Sequence, residues 1–224
     1  MKAIVHALIL AACAPLFSAA HAQVSEPRSV CMANCTDPAV NGPGAPAPLD
    51  PKYFWIGATA SVTGDVTLIL PGGKHVAPSD IARTPIAFGS RVVTGPGAKL
   101  RIIVIDGSGF TIGANSEMVL DRFVYDPATH KVTDLSVRIL KGQFRYANTT
   151  GRQTEGNRRI ETPVGTIGGI RGTIIDVSVD PGGSGFIHVV EGEVEFVEYD
   201  AARPVRLVAG QKLRFENFGV RGIE

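Results

Sequence analysis

From residue 52 onward, apolar and polar positions alternate in short runs separated by glycine, proline and aspartate. Val66, Leu68 and Leu70 share one parity and stop at Pro71-Gly72-Gly73. Ile86 to Thr94 forms a second run ended by Gly95-Pro96-Gly97, and Leu100, Ile102 and Val104 form a third. Asp106-Gly107 reads as a two-residue type I′ hairpin turn, after which Phe110 and Ile112 continue. Met118, Leu120 and Phe123 follow, then a loop at Asp126-Pro127-Ala128-Thr129. Leu135, Val137 and Ile139 alternate, Gly142 breaks the run, and Phe144 and Tyr146 resume it. Ala147 to Arg159 is polar and reads as a loop; Asn148-Thr149-Thr150 within it is a glycosylation pattern only in a glycosylating host. Ile175, Val177 and Val179 precede Pro181-Gly182-Gly183. Val190, Val194 and Phe196 alternate with Glu191, Glu193 and Glu195, and Val205, Leu207, Leu213 and Phe215 close the series. A period of two places such residues on one face of a strand, and no window of a dozen residues carries the 3.6-residue period of a helix. The pattern predicts an all-β domain, with short strands in a sandwich or β-roll, over residues 52–224.

The first 51 residues follow a different grammar. Lys2 is followed by an almost wholly apolar stretch to Ala20, then by Ala20-His21-Ala22, the small-x-small arrangement of a signal-peptidase site. Residues 1–22 read as a signal peptide, which places the mature chain in the periplasm or outside the cell. Leu10-Ala11-Ala12-Cys13 offers an alternative, a lipoprotein anchored through Cys13, although the apolar run continues past that cysteine. Residues 23–51, with Gly42-Pro43-Gly44 and Ala45-Pro46-Ala47-Pro48, read as a flexible, extended tether. Cys31 and Cys35 lie there, and export favours a disulfide between them, a local bridge worth about 2 kcal/mol of chain entropy. Pairing between chains remains the alternative; two thiolates with no nearby histidine make a poor metal site. No later segment is apolar for the length of a membrane helix.

Composition narrows the function. The 22 Lys+Arg and 21 Asp+Glu leave a net charge of +1, without the basic footprint of a nucleic-acid binder. The 26 glycines and 15 prolines suit many strands joined by turns. Three cysteines are too few for a disulfide scaffold or a four-thiolate zinc site.

Catalytic chemistry is sparse. His75, His130 and His188 are the histidines beyond the leader, without metal-binding spacing. Ser108 and Ser184 lie in turns and complete no nucleophile elbow. Glu191, Glu193 and Glu195, read as one strand, face one way and form a solvated face opposite Val190, Val194 and Phe196. The run Gly165-Thr166-Ile167-Gly168-Gly169-Ile170-Arg171-Gly172 lacks the Lys-Ser/Thr of a phosphate loop, although its glycines could expose backbone donors as an anion nest. No cofactor is implied.

Several short segments in fixed order resemble the FecR domain of exported bacterial proteins. They include Gly64-Asp65-Val66, Gly89 to Gly95, Ile105-Asp106-Gly107-Ser108 and Asn115-Ser116-Glu117. Leu120 to Pro127, Leu140-Lys141-Gly142-Gln143-Phe144-Arg145 and Thr162 to Gly168 continue the series. Ile170-Arg171-Gly172-Thr173, Val190-Glu191-Gly192-Glu193-Val194 and Ala209-Gly210-Gln211 complete it, so the resemblance covers residues 57–213. Gly169 adds a residue before the Arg-Gly-Thr segment, where a bulge would absorb it, and Ser90 stands where aspartate is common. The resemblance implies a stand-alone exported member without the membrane-spanning relay of the full regulator. It draws attention to Asp106, Gly107, Ser108, Gly168, Arg171, Gly172, Thr173, Glu191, Gly192 and Glu193. For Arg171 two readings follow: an internal latch onto strand-end carbonyls or a carboxylate such as Asp106 or Glu117, or an exposed recognition residue.

Three function classes follow. The favoured one is a non-catalytic envelope module that binds or senses a protein or glycan partner. A structural or assembly role through an exposed sheet edge is the second, and an enzyme with a site assembled from distant loops is the third. Tyr53, Phe54 and Trp55, at the start of the domain, are expected to pack on the sheet.

Overall fold

A computed structural model describes residues 55–126, 131–148, 156–201, 203–216 and 219–224. The leader, the tether with Cys13, Cys31 and Cys35, and Tyr53, Phe54 and His130 lie outside the described residues. All described residues belong to one unit, Pro38–Glu224.

The described chain is almost entirely strand, in chain order β1 (Trp55–Thr63), β2 (Val66–Leu70), β3 (Lys74–His75), β4 (Pro85–Ala87), β5 (Arg91–Thr94) and β6 (Lys99–Val104). There follow β7 (Gly109–Ile112), β8 (Glu117–Asp126), β9 (Lys131–Asn148), β10 (Asn157–Thr162), β11 (Gly165–Gly168) and β12 (Thr173–Val179). The last five are β13 (Gly185–Glu191), β14 (Glu193–Glu198), β15 (Val205–Val208), β16 (Lys212–Glu216) and β17 (Gly219–Ile223). A single 3-10 turn at Pro78–Asp80 is the one helical element among the described residues.

Two layers result. The front sheet runs β4-β1-β6-β7-β9-β12-β13-β16-β17, and all its pairs are antiparallel. The back sheet runs β3-β2-β5-β8-β9-β10-β11-β14-β15, with β9 and β10 as its one parallel pair. The long β9 therefore belongs to both layers. Up to Lys141 it pairs with β8 in the back; from Gly142 it pairs with β12 in the front.

The sequence explains why the strand changes layer at Gly142. Its φ is +105°, a conformation that L residues resist, and a Cβ there would collide with the backbone of Ser116. Around that crossing, Thr94 Oγ1 donates to the Gly113 carbonyl at 2.6 Å and accepts the Ser116 N–H at 2.9 Å. Ser116 Oγ in turn accepts the Gln143 N–H at 3.0 Å. The Asn-Ser-Glu and Leu-Lys-Gly-Gln segments are thus the two sides of one crossing.

On either side of β9 the chain repeats a path. Both β5 to β8 and β11 to β14 run back, front, front, back, so each half supplies a hairpin to the front sheet. Burial alternates along these strands, as in Lys99–Val104, where Leu100, Ile102 and Val104 are inside. The inward faces share one hydrophobic core, with Phe110, Phe196 and Phe215 among its largest buried side chains. Trp55 is half-buried and packs against this core. The outer faces mix charged side chains with exposed apolar ones, among them Ile103 and Val190 on the front sheet and Val124, Leu140, Val197 and Val208 on the back.

Candidate functional site

The family-like motifs converge on one end of the sandwich. Register pairs Gly109 with Ala147 and Asn148 with Thr173, so the β6–β7 turn, the end of β9 and the start of β12 lie side by side. The turn itself differs from the two-residue type I′ expectation. Gly107 N–H bonds to the Val104 carbonyl at 2.9 Å, Val104 N–H bonds to the Ser108 carbonyl at 2.8 Å, and only Gly107 has positive φ, at +83°. That is a three-residue loop with a glycine bulge, and it leaves Asp106 in ordinary backbone with its side chain turned inward. The β12–β13 turn has the same bonding, from Gly183 to Asp180 and from Asp180 to Ser184.

Asp106 is the centre of a buried polar cluster. Its Oδ1 accepts Ser108 N–H at 2.9 Å and Ser108 Oγ–H at 2.6 Å. Its Oδ2 accepts Arg158 Nη2–H at 2.8 Å and Nε–H at 3.3 Å. The two charged side chains are 7% and 3% exposed. Arg158 lies on β10 of the back sheet and shares the inward parity of Ile160 and Thr162, so the pair ties one layer to the other. Tyr146 packs against Phe110 with ring centroids 4.8 Å apart. Burial first, and then the Asp106 carboxylate, push the Tyr146 phenol well above its ordinary value. Ser108 and Arg158 temper that shift without a well-aligned bond to the hydroxyl.

Arg171 is therefore not the latch. Asp106 is held by Arg158, and Glu117 by Arg91 and Lys141. Arg171 is exposed and forms no ion pair among the described residues. Its backbone is what is fixed: Arg171 N–H donates to Thr173 Oγ1 at 3.2 Å, and that hydroxyl donates to the Arg171 carbonyl at 2.9 Å. The Glu193 carbonyl lies 3.3 Å from the same hydroxyl. Gly169 and Gly172 have φ of +66° and +56°, while a Cβ on Gly168 or Gly172 would meet open space. Gly169 follows the last residue of β11, so the extra residue is absorbed in the turn rather than in a strand bulge. Gly192 has φ of +81°, and a Cβ there would press on the Gly172 carbonyl at 2.8 Å and on Thr173 Oγ1 at 2.9 Å. The Arg-Gly-Thr and Glu-Gly-Glu segments are thus two halves of one contact. Between this turn and β10 opens a cleft of about 260 Å³ lined by Gly156, Asn157, Arg158, Gly169, Ile170 and Arg171.

The glutamate row divides differently from its alternation. Glu191 ends β13 in the front sheet, Gly192 turns the chain, and Glu193 begins β14 in the back sheet. Only Glu193 and Glu195 share a face, and Glu193 pairs with Arg206. Val190 is 39% exposed because it shares the outward parity of Phe186 and His188 on β13, opposite to the buried Ile187 and Val189. Among the described residues no group of three His, Cys, Asp or Glu side chains is arranged to hold a metal ion. His188 lies 4.0 Å from Asp176, whose carboxylate is taken by Arg145 at 2.6 and 2.8 Å. Asn148 is fully buried, which removes it as a surface acceptor.

Arg158 and the outer face of the front sheet had escaped the sequence reading. The signal for Arg158 was its parity with Ile160 and Thr162 inside a stretch read as loop. For the face, the signal needs register across strands. Ala58 pairs with Ile103, Ile103 with Gly109, Gly109 with Ala147 and Ala147 with Ile174, all pointing outward. With Val190 they make an apolar band across six strands, about 24 Å at the usual strand spacing. The next row runs Arg101, Thr111, Arg145, Asp176, His188 and Lys212.

Two crystal structures of a protein from Parabacteroides distasonis ATCC 8503, provisionally described as an anti-sigma factor, are similar at 16% identity, with TM-scores of 0.47 and 0.46. The likeness covers 60% of this chain and 57% of that one. No curated protein matches the chain. The family model described as FecR protein matches residues 90–195, from the start of the Ser90-Arg91 strand to the middle of β14. That range is narrower than the 57–213 suggested by the motifs, and it takes in the Asp106 hairpin, the Gly142 crossing, the Arg-Gly-Thr turn and Gly192. The family likeness of this chain is thus to FecR, over residues 90–195.

Proposed function

We propose that this chain is an exported, non-catalytic sensing or regulatory module of the cell envelope, released by cleavage after Ala22, and that it works by holding a protein partner. The FecR match supports the regulatory reading. The observation that carries the binding reading is the outer face of the front sheet. Ile103, 43% exposed, and Val190 stand at either side of a flat floor made by Gly109 and Ala147, with Ile174 between. Lys99, Arg101 and Lys212 have no carboxylate partner among the described residues, against the single unpaired Glu191 on these strands. By contrast, the charges on the outer face of the back sheet are paired, in Asp121–Arg138–Glu161, Arg122–Asp134–Arg159 and Glu193–Arg206, and its exposed apolar side chains, Val124, Leu140, Val197 and Val208, lie beside these pairs and not in one band. An apolar band flanked by cations that no described carboxylate neutralises, with Lys212 seated 4.8 Å over the Phe186 ring, fits a protein surface with exposed apolar and acidic side chains.

The test is affinity capture from envelope extract with the mature protein, Ile103→Asp and Leu140→Asp, the last on the back sheet. A partner retained by wild type and Leu140→Asp but lost with Ile103→Asp is the expected result. Equal capture by all three would contradict it. A glycan retained in place of a protein would redirect the reading to carbohydrate, and self-association alone would favour the assembly role. Turnover of a peptide, ester or glycan substrate, abolished by one substitution in a folded protein, would replace it with an enzyme.

A further inference from the structure

We infer that the cleft between β10 and the Gly-Arg turn is a receptor for the free carboxylate end of a peptide chain, a site separate from the apolar band. Three observations combine. Arg171 is exposed and lines the cleft with no ion-pair partner among the described residues, as Arg101 and Arg203 also have none elsewhere, whereas Arg83, Arg91, Arg138, Arg145, Arg206 and Arg214 are paired. Beside it, the N–H groups of Gly169, Ile170 and Gly172 engage no acceptor among the described residues, and the positive φ of Gly169 and Gly172 curls this backbone into a nest. The inner wall is Arg158, a nearly fully buried side chain held rigidly by Asp106.

Charge and size select the ligand. Arg158 and Asp106 cancel, so the net charge presented is that of Arg171 alone, and the Glu195 stem runs beside Gly169, 3.6 Å from where its Cβ would stand. One guanidinium neutralises the single charge of a carboxylate but only half that of a phosphate dianion, and the nearby Glu195 side chain weakens the field for the second charge. At about 260 Å³ the cleft falls below the roughly 300–1,000 Å³ of sites that enclose whole small molecules, so it takes an end group. A guanidinium fork and backbone N–H donors together match the planar, two-oxygen acceptor of a chain terminus, the capture mode known for backbone nests.

The inference rests on the chain being a binding module, but not on which face holds the larger partner. Its experiment uses the mature protein without any partner: titration of N-acetyl-alanyl-alanine, its C-terminal amide and inorganic phosphate, followed by backbone amide NMR. The free acid is expected to shift Gly168 to Thr173, and the amide to leave them unmoved. Arg171→Gln should weaken the acid by about tenfold or more, with Arg171→Lys intermediate because it keeps the charge and loses the fork. Ile103→Asp should not alter the titration, so failure at the cleft and failure at the band are told apart. Equal shifts with acid and amide, stronger binding of phosphate, no shift at this turn, or full binding by a folded Arg171→Gln would each overturn the inference.

Discussion

Replacing Arg158 by alanine probes the tie between the layers. In the wild type the Asp106 carboxylate is almost closed to water and receives four hydrogen bonds, two from Ser108 and two from Arg158. Arg158→Ala removes half of them and leaves a buried carboxylate without its counter-charge. Breaking such a pair from one side costs about 3–5 kcal/mol, far above the 0–1 kcal/mol of a surface pair. For a domain of this size each kcal/mol lowers the midpoint by about 2–4 °C, so a fall of about 10 °C is expected. Urea denaturation of the mature protein, followed by far-ultraviolet circular dichroism and by Trp55 fluorescence, gives the free energy directly. The double variant Arg158→Met, Asp106→Asn separates loss of the pair from loss of packing. With the charge removed from both sides it should recover most of the stability, giving a coupling of about 2 kcal/mol or more. A loss below about 1 kcal/mol in Arg158→Ala, or strict additivity in the double variant, would refute the cross-layer tie.

Arg171→Ala should change stability by no more than about 0.5 kcal/mol, as for an exposed unpaired side chain, and a larger loss in the same urea assay would restore it as a structural residue. Gly142→Ala should cost about 3 kcal/mol or more, because both its φ of +105° and the Ser116 backbone oppose a Cβ; soluble yield and the urea midpoint report it. Tyr146 gives a signed pH dependence. Its phenol is raised in the folded state, so above about pH 10 the unfolded chain loses that proton first and stability falls as pH rises, by at most about 1.4 kcal/mol per unit. Tyr146→Phe should flatten that limb in melts run from pH 9 to 11. Intact-mass analysis of the exported protein should give an N-terminus at Gln23 and a mass two hydrogens short for a Cys31–Cys35 bridge; a lipid-modified Cys13 would overturn the cleavage.

Much of this architecture was legible because a half-buried strand writes a period of two. The runs around Leu68, Ile102, Val137 and Val177 are all strands with those residues inside. Parity fails where a chain changes partner. Val190 has the parity of Val194 and Phe196 yet lies outside, because on β13 the inward residues are Ile187 and Val189 and parity changes before β14 begins. Glu191 and Glu193 look like neighbours on one face and sit in different sheets, because Gly192 turns between them. The Asp106 motif was visible, but its partner was not. Many arginines are compatible with one carboxylate in sequence, and only the parallel pairing of β9 with β10 brings Arg158 beneath the β6–β7 turn. The apolar band was hidden for a related reason. Ala58, Ile103, Gly109, Ala147 and Ile174 are ordinary residues singly and become a surface only when five strands set them in register.

The claim that this domain acts through the outer face of its front sheet is tested most directly by site-specific photocrosslinking in living cells. A photoreactive side chain at Ile103 is compared with one at Leu140. The account predicts a discrete protein adduct from position 103 that is lost when Arg101→Glu is added, and none from position 140. Adducts from 140 alone, or none from 103 in cells where the protein is exported and folded, would contradict it.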